Sequence, residues 1–176
     1  MPDVDPSKTI KLKELCRLLD VKERQASYVM ERGFVPKGIH KSPDRGNHRC
    51  FHPEHAFWLG LVLKLKEHGI QTSLAATTAD LSNLALRGIT QNLGWDWKFL
   101  PTLGRFDTEH EYFLEVGDMK FVRLVTNACP SQTELYFTDW HCVPKSKKTP
   151  QNISPLVTIR FNLRKLASIL SEADWE

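Results

Sequence analysis

The stretch "HRCFHPEH" at 48–55 sets three histidines and a cysteine within eight positions. His48, Cys50, His52 and His55 are all side-chain types that ligate zinc. On a strand running into a helix, His48, Cys50 and His52 share one side, with Arg49 and Phe51 on the other. His55 then adds a donor from the first helical turn. Structural zinc sites usually draw on two separated ligand pairs, whereas these four residues lie in one short segment. No metal is therefore expected, with the His48, Cys50, His52 and His55 set as the alternative.

A second cluster combines "DWHC" with a distant cysteine. Cys129, His141 and Cys142 can meet across strands, and a Cys/His pair is the minimum for an activated nucleophile. No third orienting group accompanies them, and a small apolar core thiol is the simpler role. No glycine-rich phosphate loop, HExxH or GxSxG occurs. The sequence is read as a non-enzyme without a cofactor.

Hydrophobic spacing supplies the elements that position these residues. "IKLKELCRLLDV" sets Leu12, Leu15, Leu18 and Leu19 at helical intervals and is broken by Asp20-Val21. "KERQASYVMERG" forms a second short helix with Ala26, Val29 and Met30 inward and Gly33 at its stop. Two prolines and "PDRG" then exclude a helix, so "FVP" and "HRCF" are expected to flank a β-hairpin. "HPEHAFWLGLVLKLKEHGI" is a helix with Pro53 and Glu54 in its first turn and Lys64, Lys66 and His68 before Gly69. Apolar on most faces, it belongs between layers. A weaker helix is expected around Ala79–Leu86, followed by an aromatic loop. Farther on, "EYFLEVGDMKFVRLV" is a hairpin with Gly117-Asp118 as a two-residue loop. That register sets Val116 opposite Met119, Leu114 opposite Phe121 and Glu115 opposite Lys120. "ELYFTDW" and "PLVTIRF" are further strands, and Asn162 caps a closing helix.

Residues 10–70 resemble the DNA-binding domain of the MerR family of regulators. The pieces are "LKELCRLLDV", "KERQASYVMERGFVP", "DRGNHRCFHPEH" and "LVLKLKEHGI", matched by order and spacing. The resemblance implies a winged helix-turn-helix: a recognition helix at 22–32 in the major groove and a basic wing at 37–50. On the exposed side of that helix lie Lys22, Arg24, Gln25, Ser27 and Tyr28. Gln25 can read adenine, and Arg24 can take guanine or a phosphate. Lys37, Lys41, Arg45, His48 and Arg49 would grip the backbone from the wing. The sequence after Gly69 does not extend into the family's long dimer helix. Excisionase-like relatives, accessory factors in recombination that share the winged domain, are the alternative.

Charge fits this division. Residues 1–75 carry 13 Lys/Arg against 9 Asp/Glu and five histidines, while the remainder is nearly neutral and the whole chain is +3. A small basic part joined to a near-neutral one suits polyanion binding with a second domain. The expected organisation is α+β. A flexible tail (1–9) precedes the DNA-binding domain (10–75), a helical linker (76–92), and a small α+β sensor or assembly domain (93–176). The aromatic residues of that last part, Trp95, Trp97, Phe99, Phe106, Tyr112, Phe113, Phe121, Tyr136, Phe137 and Trp140, suit a core better than an effector pocket. Four scattered cysteines, no secretion signal and no apolar run of about 20 residues indicate a cytoplasmic chain with free thiols. The expected partner is double-stranded DNA; a homo-oligomer is permitted, and no effector is identifiable.

Overall fold

The computed structural model describes residues 7–35, 50–92, 110–128, 134–136, 141–142 and 153–176. These form a mixed α+β fold in which two antiparallel sheets combine with helices. No helix among them is long and apolar enough to cross a membrane.

Strand β1 (Ile10–Lys11) leads into α1 (Leu12–Leu18), and a tight turn leads to α2 (Glu23–Glu31). Ala26, Val29 and Met30 are buried as their spacing requires. Strand β2 (Cys50–Phe51) precedes α3 (Pro53–Glu67), whose first position is Pro53. The partner of β2 differs from expectation. Phe34 and Val35 are not in a strand; β2 pairs with β1, Ile10 opposite Phe51 and Lys11 opposite Cys50. That arrangement buries both Ile10 and Phe51, a gain that no local turn signal reveals. Of the expected wing at 37–50, residues 37–49 lie outside the described residues.

Three helices end the same way. Val21 N–H donates to Cys16 O and Asp20 N–H to Arg17 O; Phe34 pairs with Val29 and Gly33 with Met30; Ile70 pairs with Leu65 and Gly69 with Lys66. Each is the reciprocal pattern of a Schellman cap, with the left-handed residue at Asp20, Gly33 and Gly69. The apolar pairs Cys16/Val21, Val29/Phe34 and Leu65/Ile70 are those the motif brings into contact.

Helix α4 (Thr72–Asn92) starts well before the expected Ala79 and runs 21 residues. Two of its hydroxyls bond back within the helix, Thr77 to Ser73 O and Ser82 to Thr78 O. The 75/76 boundary drawn from the sequence falls inside this helix, and Ala75, Ala76 and Ala79 are buried.

Strands β3 (His110–Gly117), β4 (Phe121–Ala128), β5 (Glu134–Tyr136), β6 (His141–Cys142) and β7 (Thr158–Asn162) form the larger sheet, in the order β5-β4-β3-β7 with β6 also on β4. The β3–β4 register differs from the expected one: Val116 faces Val122 and Glu115 faces Arg123. The turn centres on Asp118 and Met119, both at positive φ, and Lys120 N–H donates to Gly117 O. Asp118 explains the shift. Its carboxylate accepts the N–H groups of Leu156 and Val157, and its own N–H donates to Val157 O, so it is drawn toward the approach to β7. Leu114, Val116, Val122 and Leu124 consequently share one face and join the core. On the other face, Glu115 is opposite both Arg123 and Arg160 and accepts from both, the Arg123 bond being 2.6 Å.

Helix α5 (Leu163–Ser171) follows β7 directly, and Asn162 caps it by accepting from Lys165 N–H at 2.8 Å, as expected. Leu163, Leu166, Ala167 and Leu170 enter one core with Leu15, Leu19, the apolar residues of α3 and the inner face of the sheet. Thr9, expected in a loose tail, exchanges two backbone hydrogen bonds of 2.9 Å with Glu176.

Candidate nucleic-acid interface

Helix α2 is anchored by its inward residues and by α3, and presents its opposite side to solvent. Lys22, Arg24, Gln25 and Tyr28 are exposed there, and Ser27 is half-buried. Lys22 is the N-cap without a side-chain hydrogen bond, as an ammonium must be. Glu23 and Glu31 are exposed on the same helix, so the surface is of mixed sign.

Tyr28 organises the cationic part. The Arg32 guanidinium lies 5.7 Å from its ring centroid and the Lys66 ammonium 4.9 Å. Tyr28 is 44% exposed despite these neighbours; Arg32 is exposed beside it and Lys66 is half-buried. Lys11, Arg17, Lys64, Arg123 and Arg160 are held in ion pairs. Among the described residues, Lys22, Arg24, Arg32 and Lys66 form none. Unpaired cations around an exposed aromatic ring can accept phosphate oxygens while the ring packs on sugar or base.

Arg32 and Lys66 were not singled out from the sequence. Arg32 was legible, since it stands four residues after Tyr28 and such pairs are neighbours on a helix. Lys66 comes from α3, and no local pattern links it to α2. Of the expected wing contacts, Lys37, Lys41, Arg45, His48 and Arg49 lie outside the described residues.

The histidine segment is only partly described. Cys50 and His52 are exposed and Phe51 is buried, as strand alternation requires. His52 Nδ1 is 3.3 Å from Lys8 O, and the His52 and His55 rings meet edge-on at 5.9 Å. No group of three potential metal ligands converges among the described residues. Cys129 lies outside them too. Of the remaining thiols, Cys16 is buried, and desolvation first, then the charge of Glu23, pushes its pKa up to about 11. Such a thiol is a core group rather than a nucleophile. Tyr112 joins the core as expected, while Phe113 and Phe121 are buried on the other face of the sheet, with Glu115.

No protein-family model matches the chain, and a search of curated proteins finds no match either.

Proposed function

We propose that this protein is a sequence-specific double-stranded DNA-binding regulator that reads the major groove with α2. The observation that carries this reading is the exposed Tyr28 ring with Arg32 and the half-buried Lys66 of α3 against it and Lys22 and Arg24 exposed on the same helix, all four cations free of ion pairs among the described residues. A helix of this length fits a major groove. Arg24 and Gln25 are the base-reading candidates; Lys22, Arg32 and Lys66 suit phosphates. The MerR-like order of elements at 10–70 supports the same assignment. A transcriptional role follows from coupling such a surface to a second, near-neutral part of the chain.

Fluorescence anisotropy on the DNA upstream of its own gene, against a scrambled duplex, tests this. A preference of about a hundredfold or more, falling steeply with salt, is the expected result. Arg24→Ala should relax sequence preference, while Lys66→Ala should weaken both duplexes alike and lower the salt slope by about one. Binding insensitive to salt would overturn the assignment.

The burial of Ala75, Ala76 and Ala79 within the chain's own core favours a second reading. Those α4 side chains are used internally, which leaves less of the helix for a dimer coil. An accessory factor binding DNA in tandem copies needs no such coil. An extended footprint, in place of one compact operator, would identify it.

A further inference from the structure

The segment after α5, Glu172 to Glu176, alternates in exposure. Ala173 and Trp175 pack toward the core, whereas Glu172, Asp174 and Glu176 are exposed. Three exposed carboxylates therefore stand at the end of α5 and just beyond it, Glu172 as the helix C-cap and Asp174 and Glu176 after it. The segment is fixed in place. Trp175 Nε1 donates to Leu170 O at 3.1 Å, and Glu176 exchanges backbone hydrogen bonds with Thr9.

The surface it lies on is basic. Lys11 Nζ meets Glu176 Oε1 at 2.5 Å, and Lys8 Nζ donates to Trp175 O at 3.1 Å. The Glu176 carboxylate holds the Lys11 ammonium above its ordinary pKa, by hydrogen bond first and by charge second. Arg17 is pulled up mainly by Glu14, with a further contribution from the charge of Asp174. Lys11, Lys13, Glu14, Arg17, Val21 and Glu23 line one shallow depression. Lys11, the partner of Glu176, thus shares this depression with Glu23 at the start of α2.

We propose that Glu172, Asp174 and Glu176 act as an electrostatic brake on DNA binding: Glu176 neutralises Lys11, and the exposed carboxylates of Glu172 and Asp174 add negative charge at the same end of α5. The inference rests on the reading of α2 as a DNA-binding helix. Its physical basis is twofold: carboxylates repel phosphates, and a lysine already paired releases no further counterion on binding. An exposed ion pair is weak, so the segment sets the level of binding and does not block it.

The test uses the full chain with Glu172→Gln, Asp174→Asn and Glu176→Gln combined. These changes keep Trp175 and the backbone pairing with Thr9, and a thermal melt checks the fold. Binding to a scrambled duplex is followed by anisotropy from roughly 50 to 200 mM salt. The triple variant should bind about three- to tenfold more tightly at the low end, with a salt slope steeper by about one. Lys11→Gln should change binding by less than about twofold in the native chain and remove much of the gain in the triple variant. Equal binding by native and triple chains overturns the brake alone. An equal cost of Lys11→Gln in both backgrounds also overturns it, since Lys11 would then not be held by the segment. Failure of every chain to bind any duplex overturns the brake and the DNA reading together.

Discussion

Left-handed backbone at a side chain without special tolerance for it is a local cost, and Met119 carries one. At φ 54 and 43% exposed, its side chain gains little from burial. The left-handed conformation costs an L-residue roughly 1–2 kcal/mol, while glycine there loses some of that in unfolded-state entropy. Met119→Gly should therefore stabilise the protein by about 0.5–1 kcal/mol, a rise of roughly 1–4 °C in Tm. Met119→Val, β-branched, should lower Tm; a drop for glycine instead would show that the turn is held by the Met119 side chain. The same turn marks where the sequence misleads. Gly117 is the natural first residue of a tight hairpin loop, but Asp118 bonds the backbone of Leu156 and Val157, 38 and 39 residues away. That distant tie sets the register, and nothing within the hairpin announces it. The positive-φ stop at Gly33 and the cap at Asn162 were legible because each is decided within a few residues.

At the level of elements, Gly60 is where α3 lies closest to its neighbours. A Cβ built there would stand 3.1 Å from Leu19 Cδ1 and 3.7 Å from Leu166 Cδ1. Leu19 closes the turn between α1 and α2, and Leu166 belongs to α5, so three helices meet over one missing side chain. Glycine inside a helix ordinarily costs about 1 kcal/mol relative to alanine, and here the close approach uses that allowance. Gly60→Val should destabilise the fold by about 1–3 kcal/mol through overpacking, read by urea titration. A variant as stable as the native chain would show that the helices can separate freely. The helices themselves were readable from apolar spacing and their stop residues. The partner of β2 was not, because Ile10 and Phe51 are brought together by tertiary burial. In the candidate interface, Arg24 and Tyr28 were readable from α2 alone, whereas Lys66 needed the packing of α3 beside it.

For the molecule as a whole, the shared core decides how it unfolds. Leu170 is fully buried in a cluster that reaches from Leu15 in α1 to Leu124 in β4. Leu170→Ala should cost about 2–5 kcal/mol. If the core is one cooperative unit, native-state amide exchange at Leu15 and at Leu124 should lose protection by equal free energies. Loss at Leu124 with Leu15 unchanged would mean that the helical part opens independently. The same core carries the charge arrangement to its place, since α5 delivers residues 172–176 to the edge of β1.

The pairing of Thr9 with Glu176 also orders events in time. Contacts so distant in sequence close late in folding, and during synthesis this one must wait until Glu176 is made. At roughly 5–20 residues per second, α1 and α2 emerge about ten to thirty seconds before Glu176 exists to reach them. Each newly made copy therefore passes through an interval in which Lys11 has no carboxylate beside it from that segment.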